Sequence, residues 1–225
     1  MKIVISLGGS LFAKEEMDIA YLKKFQKLIL SHVKSHKFYI VTGGGNQCRI
    51  YQGYARELSK ASSDDLDWTG IQVTRLNAIV VKSMFGKIAN EEIFLTPQDA
   101  SKSKSKIVVG GGWKPGWSTD YVAVYIARLI KADTVINLSN VDYICDKDPN
   151  QYKDAKPYEE MSWKELRSLV GNRWTPGLNM PFDPIACKLA EKEKLTVVIL
   201  NGKKLNNINK FFSDKPFVGT TVNGG

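Results

Sequence analysis

Three short glycine runs have the clearest chemical use in this chain: "SLGGS" at 6–10, "VTGGGN" at 41–46 and "VGGGW" at 109–113. Without Cβ atoms, their backbone N–H groups can approach a polyanion closely. Each run follows an apolar stretch, and the helices expected downstream add their positive N-terminal ends. Arg49, about one turn into the helix after the second run, can fork onto phosphate oxygens. One such run reads equally well as a tight turn; three at strand ends point to phosphate binding. No GxxxxGK[ST] occurs, and GxGxxG is absent after the first strand, so neither a P-loop nor a dinucleotide fingerprint is present.

The third run continues as "GGGWKPGWSTD", which places Trp113 and Trp117 around a Lys-Pro-Gly turn. The two indoles are expected as pocket walls. Thr119 is the expected N-cap of a helix over 120–131, with Asp120 in its first turn. In "DWTGIQVTRLNA" (67–78), Asp67 can accept hydrogen bonds from a ribose or serve as a helix N-terminal acid. "LSNVDYICDKDPN" (138–150) supplies Asn140, Asp142 and Asp148, a polar acidic loop suited to a nucleotide sugar or a hydrated magnesium, or else an ordinary turn.

Elements that place these residues follow from the apolar pattern. "KIVISL", "FYIVT", "KIVVG", "TVINL" and "TVVIL" are near-continuous Val/Ile-rich runs, as in strands buried on both faces. Between them lie amphipathic segments; Leu22, Phe25, Ile29 and Val33 form one stripe over 18–34. This alternation predicts an α/β chain with a mostly parallel sheet and helices on both faces, as a single domain over 1–225. In such sheets ligands collect at the carboxyl ends of the strands.

Composition narrows the classes. The net charge of +9 attracts anions, but the lysines are spread over helix faces and no nucleic-acid module appears, so no nucleic-acid partner is expected. Three scattered cysteines without a CxxC pair argue against zinc and a disulfide framework. No apolar run is long enough to span a bilayer, and "MKIVISLGGS" reads as a first strand, so no membrane partner and a cytoplasmic location are expected. His32 and His36 have metal-ligand spacing, but lie among lysines with no glutamate between them, and read as a solvated face.

Together these stretches resemble the amino-acid-kinase superfamily, and within it the archaeal type of uridylate (UMP) kinases. "IVISLGGSL" and "VTGGGNQCR" look like its two phosphate loops, and "GIQVTRLNA" like its GIQxTRxNA helix. "GGGWKPGWSTD" resembles its nucleoside segment, "SNVDYICDKDP" its nucleotide loop, and "FDPIACKLA" and "GTTV" its later signatures. The resemblance implies a three-layer αβα sandwich around about eight mostly parallel strands, and transfer of the γ-phosphoryl of ATP, with Mg²⁺, to UMP. It assigns Gly8, Gly9 and Ser10 to the transferring phosphoryl, and Gly43, Gly44, Gly45 and Arg49 to the UMP phosphate. Asp67, Gly112, Trp113, Ser118, Thr119 and Asp120 fall to the nucleoside; Gly9, Ser139, Asn140, Asp142, Tyr143 and Asp148 fall to ATP. A homo-oligomer, a hexamer in many relatives, is also implied. The lysine that many members carry two residues before the first glycine is Ser6 here, and Lys188 is the substitute cation suggested by the "FDPIACK" match. Tyr143 and Cys145 depart from the family's nucleotide loop. Two rivals are a kinase of the same fold acting on another small phosphate, such as isopentenyl phosphate, and a non-catalytic nucleotide-binding or storage homologue.

Overall fold

The computed structural model describes residues 1–147, 151–171 and 180–224. In chain order its elements are β1 (Lys2–Leu7), α1 (Ile19–His32), β2 (Lys37–Thr42), α2 (Gly45–Leu58), α3 (Ser63–Ser83), α4 (Pro97–Lys102), β3 (Ile107–Gly110), α5 (Thr119–Ile130) and β4 (Thr134–Ser139). There follow β5 (Ile144–Cys145), β6 (Pro157–Tyr158), β7 (Glu160–Ser162), α6 (Trp163–Val170), α7 (Pro184–Lys192), β8 (Thr196–Asn201), α8 (Leu205–Phe212) and β9 (Thr220–Asn223).

The main sheet has the order β3-β2-β1-β4-β8-β9-β7. Its first five strands are parallel; β9 runs antiparallel to β8 and parallel to β7. Seven strands stand here against the expected eight or so, because the two-residue strands β5 and β6 pair only with each other, antiparallel. Every strand of the parallel run is apolar on both faces for the reason its sequence suggests: helices cover both. Ile3, Ile5 and Leu7 of β1 pack with α1, α3 and α8, whereas Val4 packs with α5, α6 and α7. Full burial of a side chain such as Ile5 or Phe25 stabilises the fold by about 1.5–3 kcal/mol.

Side-chain caps set most helix starts, α2 and α8 being the exceptions among the described residues. Asp18 accepts from the Tyr21 N–H at the start of α1, and Ser62 with Asp65 forms a reciprocal capping box at the start of α3. The N-terminal acids of α3 are therefore Asp64 and Asp65, which leaves Asp67 one turn inside the helix. The cap of α5 is Ser118, whose hydroxyl accepts from the Tyr121 N–H at 3.1 Å; Thr119 is the first helical residue. His32 and His36 are not a solvated face. His36 is buried, its ring stacks on His32 and lies edge-on to Phe38, and Nε2 is 3.2 Å from the Phe212 carbonyl oxygen. The chain leaves α1 before His36, so helical spacing did not apply to the pair.

Glycines in this fold differ in what surrounds them. A Cβ on Gly9 would lie 2.1 Å from the Gly45 backbone nitrogen, whereas one on Gly53, inside α2, would meet nothing within 4 Å. Gly9→Ala is therefore expected to lower stability by about 1–3 kcal/mol or more through overpacking. Gly53→Ala should raise it by about 0.4–1 kcal/mol through the unfolded chain. Urea unfolding of both variants checks the contrast; equal effects would contradict it.

Candidate active site

Because β3, β2, β1 and β4 are adjacent and parallel, their carboxyl ends place all three glycine runs and the Ser139–Asn140 turn along one edge. A cleft of about 340 Å³ opens there. The first two runs touch backbone to backbone, and Gly45 sits at φ +65°, a conformation that side chains disfavour. Part of the glycine content thus serves close packing rather than a ligand. The Gly8 N–H donates to the Leu138 carbonyl and the Gly43 N–H to the Leu7 carbonyl, both at 2.9 Å, so the fold already uses these two donors.

Helix α3 braces the loops from behind. Thr74 Oγ1 accepts from the Gly112 N–H at 2.7 Å, and Arg75 donates from Nε to the Gly112 carbonyl (3.2 Å) and from Nη2 to the Trp113 carbonyl (3.0 Å). Asn77 Nδ2 donates to the Gly43 carbonyl at 2.9 Å, and Thr42 Oγ1 donates to the Thr74 carbonyl at 2.8 Å. Two turns earlier, Asp67 Oδ2 accepts from the Gly116 N–H at 2.7 Å, fixing the Lys-Pro-Gly turn over the cleft. Burial raises the Asp67 carboxyl above its ordinary range, opposed by that same hydrogen bond. Trp117 lines the cleft and stacks on Tyr121 with ring centres 3.9 Å apart.

At the floor of the cleft lies Asp120. Its Oδ1 accepts from the Ser6 hydroxyl at 2.7 Å and from Asn137 Nδ2 at 2.8 Å, and the Asp183 backbone N–H also donates to it. Burial pushes this carboxyl up to about 6; the Ser6 hydrogen bond opposes that rise and the Asp183 charge adds to it. Asp183 caps α7, accepting from the Ile185 and Ala186 N–H groups. Two carboxylates thus share the floor, Asp183 buried and Asp120 half-buried, and among the described residues neither has an ion-pair partner.

Residues 1–201 match the amino acid kinase family. The chain belongs to that family. It is 37% identical to the uridylate kinase of Methanobrevibacter smithii, covering 99% of each chain. It is also 37% identical to that of Thermoplasma volcanium, over 98% of this chain and 96% of the relative. Among solved structures, the uridylate kinase from Archaeoglobus fulgidus superposes with a TM-score of 0.86 at 33% identity, over 99% of this chain and 100% of that one. The UMP kinase from Bacillus anthracis, at 22% identity, shares the fold with a TM-score of 0.79, over 99% of this chain and 95% of that one.

In this amino acid kinase most residues singled out from the sequence line the cleft: Gly8, Gly9 and Ser10; Gly43, Gly44, Gly45 and Arg49; Asp67 and Gly112; Ser118, Thr119 and Asp120; Ser139 and Asn140. Trp113 does not; it packs beside Trp117 and Tyr125, with Lys114 Nζ 4.6 Å from its ring centre. Neither Asp142 nor Tyr143 lines the cleft. Asp142 accepts from Lys204 Nζ (2.8 Å) and Asn201 Nδ2 (3.0 Å), which ties its loop to the end of β8; the Lys204 hydrogen bond holds its carboxyl below the usual range. Lys188 occupies an exposed position on α7 and is not among the lining residues, and Asp148 falls outside the described residues. The sequence reading passed over Asn137 and Asp183 as site residues. An asparagine inside the apolar run "TVINL" and an aspartate directly before the Pro184 helix start were the signals available.

The raised Asp120 carboxyl links stability to pH. Its folded pKa (about 6) lies above the ordinary 3.8, so the stabilisation is complete below about pH 3.8 and is lost as pH rises through about 6. Asp120→Asn has no such loss. Between pH 4 and 7 the variant should gain on the parent by up to about 3 kcal/mol in chemical denaturation. A stability difference that stays flat across that range would show that the carboxyl is not perturbed.

Proposed function

We propose that this chain, as one catalytic domain over 1–225, is a uridylate kinase that transfers the γ-phosphoryl of ATP to UMP, giving UDP and ADP. One observation carries this reading. A single cleft brings together two glycine loops, Arg49 and the braced 112–120 segment, with the Ser139–Asn140 turn at its other wall. Two anionic substrates can meet end to end there, and uridylate kinase relatives match nearly the whole chain.

Phosphoryl transfer asks mainly for in-line positioning and charge neutralisation. A UMP phosphate oxygen forms the new bond to the γ-phosphorus as the bond to the β–γ bridging oxygen breaks, and ADP leaves with that electron pair. A phosphate dianion needs no general base. Gly9 and Ser10 sit beside the transferring group, and Gly44, Gly45 and Arg49 take the acceptor phosphate at the N-terminal end of α2. Asp67, Gly112, Trp117 and Ser118 hold the nucleoside. Ser139 and Asn140 face ATP, and Asp142 acts on that side by holding its loop in place.

Mg²⁺ fits the floor of this cleft. Asp183 is buried and Asp120 half-buried, both are hard oxygen donors without an ion-pair partner among the described residues, and carboxylate oxygen is the donor type magnesium selects. Together they would hold the ion that accompanies ATP and offsets negative charge on its phosphates. Ser6, where many family members carry lysine, keeps the Asp120 carboxylate oriented by its hydroxyl instead.

The chain also fits self-association. Helix α3 exposes Trp68, Leu76 and Ile79, and α2 exposes Tyr51, Tyr54 and Leu58, an apolar surface that a second copy would cover. Among the described residues no helix is long and apolar enough to cross a membrane.

An acceptor panel read by ADP release tests the reaction: UMP should be turned over far faster than CMP, dUMP or isopentenyl phosphate. Faster turnover of isopentenyl phosphate, or nucleotide binding without ADP release, would overturn it. Arg49→Ala should weaken UMP by about 1.5–3 kcal/mol, roughly ten- to a hundredfold, with a much smaller effect on ATP. Calorimetry showing equal losses for both would remove Arg49 from the acceptor side. Light scattering should find an oligomer that Leu76→Glu dissociates; a monomeric parent chain would rule out the assembly.

A further inference from the structure

At the opposite end of the sheet a second pocket, of about 590 Å³, lies under the amino ends of the strands. Lysines stand along this edge in strand order: Lys106 just before β3, Lys37 opening β2, Lys2 opening β1 and Lys131 shortly before β4. All four line the pocket. Lys2 and Lys37 are direct cross-strand partners, and the Phe38 N–H donates to the Lys106 carbonyl, so three ammonium-bearing residues are immediate neighbours. Like charges in that relation destabilise a sheet. Burial, and then the Lys2 and Lys106 charges, hold the Lys37 ammonium below its ordinary range.

Helix ends account for part of this arrangement. Lys2 Nζ donates to the Ile130 carbonyl at 2.6 Å and Lys37 Nζ to the Ser103 carbonyl at 2.5 Å, the C-terminal ends of α5 and α4. Those carbonyls carry no full charge, so the positive potential remains. Asp133 and Asp214 share the rim, yet none of the four lysines forms an ion pair among the described residues.

Ile3, Ile136 and Phe212 supply apolar and aromatic walls with His36 beside them, while Ser35, Thr134 and the Met1 terminus add polar groups to the lining. The Phe212 carbonyl can only accept, which puts the His36 proton on Nε2 and leaves Nδ1 a buried acceptor without a partner among the described residues. Of the three non-glycine residues at positive φ among the described residues, Lys131 and Asp214 also border this pocket. Its volume falls within the range of small-molecule sites, which pair apolar walls with a few placed charges.

We propose that this amino-edge pocket binds a small anion carrying a planar apolar ring, the ring against Phe212 and His36 and the negative group against the lysine row. The site is separate from the catalytic cleft and does not depend on the reaction proposed for it. It lies at the far ends of β1, β2 and β4, the strands whose carboxyl ends carry two of the glycine loops and the Ser139 turn.

The dye 8-anilinonaphthalene-1-sulfonate has this chemistry and reports its own binding by fluorescence. Titrated onto the full chain, it should bind saturably at one site per chain. The double variant Lys106→Gln/Lys131→Gln, which alters only exposed side chains, should weaken binding at least fivefold with a melting temperature no lower than the parent's. Arg49→Gln, in the cleft, should leave it unaltered. Emission that rises without saturating, or equal affinity in the lysine variant, or loss on Arg49→Gln, would overturn the proposal. Benzoate, a planar apolar ring with one negative group, should displace the dye; no displacement by benzoate would also overturn it.

Discussion

A backbone stripped of side chains needs something else to hold it, and here that support is helix α3. Consecutive glycines cannot lock a loop by packing, and Gly loses more conformational freedom on folding than any other residue. Thr74, Arg75 and Asn77 answer that cost from a single helical turn. Between them they bond to Gly112, Trp113 and Gly43 on two different loops. Their partners are backbone groups, so the geometry holds whatever ligand occupies the cleft. Removing any one of the three would leave loop polar groups unsatisfied next to the catalytic edge, a more costly state than a missing surface contact.

The cleft floor sets the second constraint. Asp120 is held by a hydroxyl, an amide and a backbone N–H, all neutral, so its charge is oriented but not cancelled. A carboxylate kept in such a place stabilises the fold poorly and suits a cation that arrives with the substrate. Stability and chemistry pull apart at this residue, as they commonly do in active sites.

Sequence patterning revealed the sheet and the cleft edge well, because strands buried on both faces are written as unbroken Val/Ile runs and the glycines sit directly at their ends. It could not distinguish glycines that approach a ligand from those that let two loops touch, since Gly9 against Gly45 is a contact across 36 positions. The same limit explains Asp142. Its place in an acidic loop pointed to a ligand, but Lys204, 62 residues later, takes its carboxylate. Lys188 matched a motif by position, while the turn of α7 puts it on an exposed face. Local signals placed helix starts to within a residue, as with Ser118 in place of Thr119, because neighbouring side chains compete for the same N–H.

Helix α3 has a further side. The face opposite its loop contacts bears Leu76 and Ile79, immediate sequence neighbours of Arg75, Asn77 and Ala78. Whatever covers that face would damp the motion of the helix, and with it the rigidity of both bound loops. If a second copy supplies that cover, as proposed, dilution would part the copies and loosen the loops together.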